Sequence, residues 1–390
     1  MSTPASCDIF CAVIDNYGDI GVSWRLAKQL TTEHQIKVRL WVDDLASFAK
    51  LCPEINVDLA AQTVRQISVR RWSKDTDEVW QDIVIPDWVI EAFACKLPAA
   101  YLSAMAARER QPLWLNLEYL SAEAWVESSH LLPSPHPRLP LTKYFFFPGF
   151  TDKTGGLLIE KNLLAQRDAF QNSPEQQAAF WQSLNIATPQ SNELRASLFS
   201  YENAALEKLL STWENSDFPL TCLVPEGKIL PQLSAYFGQP LAVGDVATRG
   251  ALRVQILPFI DQADYDRLLW ACDINFVRGE DSCVRALWAG KPFIWHIYPQ
   301  DDLVHLEKLR ALSHLMSADL PKEIADSIEN SWLAWNGHGS IGSAWLNFNT
   351  HRTELENHAK IWSQRRANHN LTLNLLDFWR QVGRIRAFEN

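Results

Sequence analysis

The feature that constrains this chain most is an alternation, run through twice, of short apolar segments with helix-spaced ones. Asp8–Val13 is a compact run rich in Ile, Phe and Val and predicts a buried strand. Asp19–Leu30 follows with apolar residues at helical spacing (Ile20, Trp24, Leu26, Leu30). Ile36–Val42 predicts a second strand and Leu45–Leu51 a second helix. Val64–Val69, Asp87–Ala92, Leu113–Leu117 and Lys143–Phe147 continue as strands, with helical stretches between several of them. Such a rhythm implies a mostly parallel sheet covered on both faces. Leu131–Leu141 holds Pro133, Pro135, Pro137 and Pro140, so it is expected to be a constrained loop and not an element.

The more polar Asn162–Leu184 reads as a helical bridge, after which the rhythm restarts. Leu194–Phe199, Leu220–Val224, Leu252–Leu257, Cys272–Val277 and Pro292–Ile297 are expected strands. Ala204–Trp213, Asp261–Ala271 and Asp281–Ala289 are expected helices, and the amphipathic Leu371–Arg386 a last one. A length of 390 residues also favours two domains over one core. The fold class expected is α/β, with two Rossmann-like domains in tandem and a cleft between them. In open parallel sheets ligands sit beyond the carboxyl ends of the strands, so the residues just after each strand are the functional candidates.

Composition narrows the function classes. A net charge of −10 argues against nucleic acid or an anionic membrane as partner. Seven scattered cysteines form no CxxC pair, which argues against zinc or a disulfide framework and suits a reducing cytoplasm. No run of 18 apolar residues and no basic leader suggests a signal peptide or membrane span. The 17 tryptophans invite a carbohydrate role, but most are expected to fill cores.

Chemistry is expected in three places. Arg278-Gly279-Glu280-Asp281-Ser282 lies between a strand and a helix. Gly279 permits close backbone approach, the helix N–H groups suit a diphosphate, and Arg278 and Ser282 add charge and a hydroxyl. Glu280 suits the hydroxyls of a sugar. Ile14-Asp15-Asn16-Tyr17-Gly18-Asp19 follows the first strand. It lacks the G-x-G-x-x-G spacing of a dinucleotide site, and Asp15 and Asp19 suit a cationic or hydroxyl-bearing acceptor, one taking a proton. Phe199 and Tyr201 end another strand, and Phe259 and Gln262 a further one, where an aromatic and an amide can bind a pyrimidine. The Asp-x-Asp pairs Asp75/Asp77 and Asp264/Asp266 are expected to be solvated charges, and His296 and His305 lack a third metal ligand, so no metal is expected.

Several of these runs, together with Asn116–Glu123 and Gly290–Asp301, resemble the protein-arginine rhamnosyltransferases that modify elongation factor P, over about residues 8–310. The resemblance implies a GT-B fold and inverting transfer of L-rhamnose from dTDP-β-L-rhamnose to an arginine of translation elongation factor P, without metal or other cofactor, in the cytoplasm. It implies an acceptor-binding domain over 1–165, joined by a C-terminal helix at about 362–390, and a donor-binding domain over 180–361. Asp19, Asp15 and Glu280 become the expected catalytic residues. Asn16, Tyr17, Gly18, Phe199, Tyr201, Phe259, Gln262, Arg278, Gly279, Asp281 and Ser282 become the expected substrate contacts. The alternative is a GT-B transferase or sugar epimerase acting on a small molecule or glycolipid.

Overall fold

The computed structural model describes residues 5–14, 17–73, 80, 83–300 and 303–388, with side chains through 382. The chain divides into two compact units, Met1–Lys161 with Ala367–Asn390, and Asn162–Arg366.

In the first unit, β1 (Ser6–Cys11), α1 (Gly18–His34), β2 (Lys37–Val42) and α2 (Leu45–Leu51) open the chain. β3 (Ala61–Val64), β4 (Ile67–Arg71), β5 (Trp88–Ala92), α3 (Ala99–Ala106) and β6 (Leu113–Leu117) follow. α4 (Trp125–Ser129), β7 (Pro133–Pro135) and β8 (Thr142–Phe146) complete its main run. The sheet order is β3-β4-β2-β1-β5-β6-β8-β7, parallel except for the edge strands β3 and β7. Alternation along β1 explains burial on both faces. Cys7, Ile9 and Cys11 enter one apolar cluster and Phe10 the other, with Trp41, Trp80 and Tyr101.

In the second unit, α5 (Leu163–Gln171) and α6 (Pro174–Ser183) lead into β9 (Leu194–Leu198), α7 (Leu206–Glu214), β10 (Leu220–Pro225) and α8 (Leu230–Phe237). β11 (Val246–Arg249), β12 (Leu252–Leu257), α9 (Gln262–Ala271), β13 (Ile274–Arg278), α10 (Gly279–Ala289) and β14 (Phe293–His296) follow. The order is β11-β12-β10-β9-β13-β14, parallel apart from β11. Four helices continue from there: α11 (Val304–Ser317), α12 (Lys322–Trp335), α13 (Ile341–Thr350) and α14 (Arg352–Arg366). The last helix, α15 (Leu371–Phe388), packs Leu371, Leu375 and Leu376 into the first unit's core and stacks Trp379 on Trp88 at 5.7 Å.

Four local expectations change. Val64–Val69 is not one strand: Arg65 and Gln66 take positive φ (48° and 66°) and turn the chain into the β3–β4 hairpin, where Val64 pairs with Ile67. The Pro-rich segment holds a short strand after all, because a proline is tolerated at a sheet edge. The helical bridge is two helices, broken where Ser173 caps α6 and Pro174 takes its first turn. The fourth change, at Arg278, concerns the site below. Every described tryptophan is buried except Trp125 and Trp379. Among the described residues no helix is long and apolar enough to cross a membrane.

A two-residue hairpin turn with both central residues at positive φ suits Asn-Gly, and a left-handed non-glycine residue costs roughly 1–2 kcal/mol. Gln66→Gly should therefore raise the thermal unfolding midpoint by roughly 2 °C. A fall would mean that the Gln66 side chain contributes more than its backbone strain costs.

Candidate functional site

In each unit the parallel strands bring their carboxyl ends to one edge, and the candidate residues lie there. In the first unit the loop after β1 reaches α1 at Tyr17, its N-cap, which makes no side-chain capping bond. Asp15 and Asn16 lie outside the described residues. Gly18 is the first residue of α1, and the Gly21 N–H donates to Tyr17 O at 2.9 Å. Asp19 is buried in the first turn, and its Oδ2 accepts from the Ile14 N–H at 2.8 Å. Asp43 holds the preceding residue by accepting from Val13 N at 2.9 Å. The two residues Val13 and Ile14 are thus each held by a carboxylate, and Asp19 sits where the helix dipole favours negative charge.

The neighbouring edge loops are also constrained. Phe93, Ala94 and Lys96 all take positive φ after β5. Asn116 Oδ1 accepts from Ala94 N at 3.0 Å, and Glu91 Oε1 from Lys96 N at 3.0 Å. Asn116 also donates to Glu118, and Tyr119 stacks on Phe93 at 4.6 Å. The sequence run Asn116–Glu123 is therefore a framework that fixes this edge.

In the second unit, Arg278 is the last residue of β13 and the N-cap of α10. The stretch Arg278–Ser282 is thus not a loop: the helix starts at Gly279, two residues before the expected Asp281, and Gly279 makes the corner with φ 64°. Trp295 Nε1 donates to Gly279 O at 2.7 Å and holds that corner. Arg278 is buried, with its guanidinium 4.3 Å from the Phe199 ring centre and 4.7 Å from that of Tyr201. Phe199 in turn meets Tyr265 at 5.7 Å, and Tyr201 meets His296 at 5.2 Å and Tyr298 at 5.7 Å. Stacking occupies the guanidinium faces, while its N–H donors lie in the plane. A fixed cation beside a helix N-terminus is an arrangement that receives a diphosphate.

The remaining expected residues fall around this stack. Ser282 lies in the first turn of α10 beside Tyr265, whose phenol burial pushes up. Asp281 shares that turn, half-buried. Phe259 is half-buried in the loop after β12, and Gln262 is the buried first residue of α9, which Asp261 caps. Glu280 accepts from Lys308 Nζ of α11 at 2.6 Å, a partner with no signal in the sequence. His296, which reads in the sequence only as part of an incomplete metal set, meets Ser200: Ser200 Oγ and His296 Nδ1 are 2.8 Å apart.

The pair Asp264/Asp266 needs correction. Asp264 takes part in the cap of α9 and pairs with Arg267, but Asp266 is no solvated charge. It is buried and grips Arg285 of α10 through both oxygens, Nε to Oδ1 at 2.9 Å and Nη2 to Oδ2 at 2.6 Å. Asp75 and Asp77 lie outside the described residues. Among the described residues no group of three or more His, Cys, Asp and Glu is placed to hold a metal ion.

Comparisons with known proteins agree with one another. The model of the family described as Elongation-Factor P (EF-P) rhamnosyltransferase EarP matches residues 7–380. A protein-arginine rhamnosyltransferase of Pseudomonas putida is 51% identical over 378 residues, 96% of this chain and 99% of the relative. A solved structure described as the structural basis for EarP-mediated arginine glycosylation of translation elongation factor EF-P is 39% identical. It matches with a TM-score of 0.69 over 97% of this chain and 99% of that one. A glycosyltransferase from Rickettsia africae, 10% identical over 97% and 99% of the two chains, matches with a TM-score of 0.53, a likeness of fold.

Two measurements check the electrostatics described. Asp266→Ala strands Arg285 in the interior and should cost about 3–5 kcal/mol in denaturant unfolding; a loss below about 1 kcal/mol would contradict the buried pair. Burial pulls the imidazoles of His130 and His296 from the ordinary 6.5 to about 4, aided at His296 by Arg278. Between those values the unfolded chain binds more protons than the folded one. Stability that is full above pH 6.5 should therefore decline as pH falls toward 4, and a flat unfolding midpoint across that window would contradict the assignment.

Proposed function

Because this chain belongs to the family of elongation-factor P rhamnosyltransferases, a family of protein-arginine glycosyltransferases with the GT-B fold, we propose that it transfers L-rhamnose from dTDP-β-L-rhamnose, with inversion, to an arginine side chain of translation elongation factor P. The observation that carries this reading is the family match across residues 7–380. The held cation at Arg278 supports its donor side, and the buried Asp19 its acceptor side.

On the donor side, Arg278 and the first turn of α10 at Asp281 and Ser282 stabilise the departing diphosphate, and Gly279 lets it approach the backbone. Phe199, Tyr201, Phe259 and Gln262 hold the nucleotide, and Glu280 orients the donor through its hydroxyls. Fixed positive charge and helix N–H groups meet the leaving group's charge, so the proposal needs no metal or other cofactor.

The acceptor poses a harder problem. A guanidinium has a pKa above about 12 and delocalised lone pairs, so a carboxylate cannot deprotonate it in advance. Asp19 and Asp15 instead grip it, aided by Asn16, Tyr17 and Gly18, and turn one nitrogen toward the anomeric carbon. That nitrogen's bond to carbon forms as the bond to the diphosphate oxygen breaks, and Asp19 takes the proton that the nitrogen sheds. The seven buried free thiols suit a cytoplasmic setting.

Incubation of the chain with dTDP-β-L-rhamnose and purified elongation factor P should add the mass of one deoxyhexose to the acceptor; no gain, or another mass, would refute the proposal. Asp19→Asn should lower kcat by roughly a factor of 100 or more while donor affinity stays nearly unchanged. Turnover close to normal in that variant would remove Asp19 from the chemistry.

A further inference from the structure

The Arg278 stack leans on a part of the second unit to which the donor reading gives no role. His296, the last residue of β14, is 6% exposed. Its ring meets Tyr201 edge-on at 5.2 Å and, through another contact, Trp335 at the end of α12 at 6.0 Å. Its Nδ1 shares a hydrogen bond with Ser200 Oγ, one residue before Tyr201.

The backbone around both partners is clamped as well. Asn336, the C-cap of α12, donates to Trp295 O at 2.7 Å and accepts from Ile297 N at 3.2 Å, so it grips the residues on either side of His296. Asn203 donates to Trp335 O at 2.8 Å and ties the loop that carries Tyr201 to the same helix end. The imidazole is neutral near neutral pH, so it adds no second cation beside Arg278.

We propose that His296 is a positioning residue for the transfer reaction: tied to Ser200, it holds the Tyr201 ring against Arg278 and so keeps the guanidinium aimed at the donor's diphosphate. The inference rests on the donor reading above. It also gives α12 a purpose, since the end of that helix supplies Trp335 and Asn336 to the support. Without the Ser200–His296 link the Tyr201 ring gains freedom, and Arg278 must be ordered when the diphosphate binds. That cost falls on binding and leaves the chemical step nearly unchanged.

Steady-state kinetics with dTDP-rhamnose, and calorimetric titration with dTDP and dTMP, test this in Ser200→Ala, Ser200→Thr and His296→Gln, with thermal unfolding as the check of fold. Ser200→Ala and His296→Gln should each raise the donor KM and the dTDP Kd by about tenfold, with kcat within about threefold of normal. Binding of dTMP, which lacks the second phosphate, should change by less than about twofold, and Ser200→Thr should restore dTDP affinity. In an Arg278→Gln background the His296→Gln change should cause no further loss of dTDP affinity. Equal losses for dTMP and dTDP, additive losses in the double variant, or a fall in kcat at unchanged KM would overturn the proposal. If the unmodified chain bound no dTDP, the donor reading itself would fall, and this inference with it.

Discussion

Parallel pairing is the constraint on which the rest of this protein depends. A strand paired in parallel on both sides needs a crossover to return, and the crossover helices bury both of its faces. Each central strand then has one place where polar chemistry can surface, at its carboxyl end. The edges that carry Asp19 in one unit and Arg278 in the other follow from that geometry. So does the lack of an exposed face on β1, β5, β6, β9, β10 and β13, which are buried at nearly every position.

Burial on both faces makes any charge inside the sheet layers expensive, and the structure meets each case with several donors. Asp8 on β1 receives Arg39 Nε and Nη2, Trp41 Nε1 and the Tyr101 hydroxyl; burial still pushes its carboxyl pKa upward. Glu91 on β5 receives Lys96 N, Trp114 Nε1 and Lys143 Nζ. Asp266 and Arg285 satisfy each other between α9 and α10. Such pairs add little net stability compared with apolar packing, yet they cost heavily when broken. Their value here is register: the Asp266–Arg285 pair sets α10 against α9, and with it the corner at Gly279 where Arg278 turns into the stack.

Much of this was legible in the sequence because apolar periodicity is a local signal. β6 and β12 fall at Leu113–Leu117 and Leu252–Leu257, the bounds that the pattern predicts, each a short stretch dominated by apolar residues. What failed depended on backbone conformation or on distant partners. The hairpin at Arg65-Gln66 carries none of the Gly or Asn that announces such a turn. The charge of Asp266 reads as solvated on a helical wheel because its partner lies 19 residues on, in another helix. The roles of Lys308 and His296 are hidden for the same reason: both matter through groups that the fold brings to them, Glu280 to the first and Ser200 to the second. The runs Asp15–Asp19 and Arg278–Ser282 could be singled out because chemistry at a strand end needs unusual residue types in a row.

The two units face opposite electrostatic tasks with one architecture. On the reading proposed, the first must hold a guanidinium and the second a diphosphate, and each uses the start of a helix after a buried strand. A helix start favours anions in both cases, so the dipole helps the second unit directly. In the first unit it acts otherwise. There it acts on the buried side chain of Asp19, whose Oδ2 also accepts from the Ile14 N–H at 2.8 Å. A negative charge in a site of low dielectric attracts a cation more strongly than an exposed one does. The same backbone feature can thus serve a cationic acceptor through one intermediary side chain and an anionic donor through none.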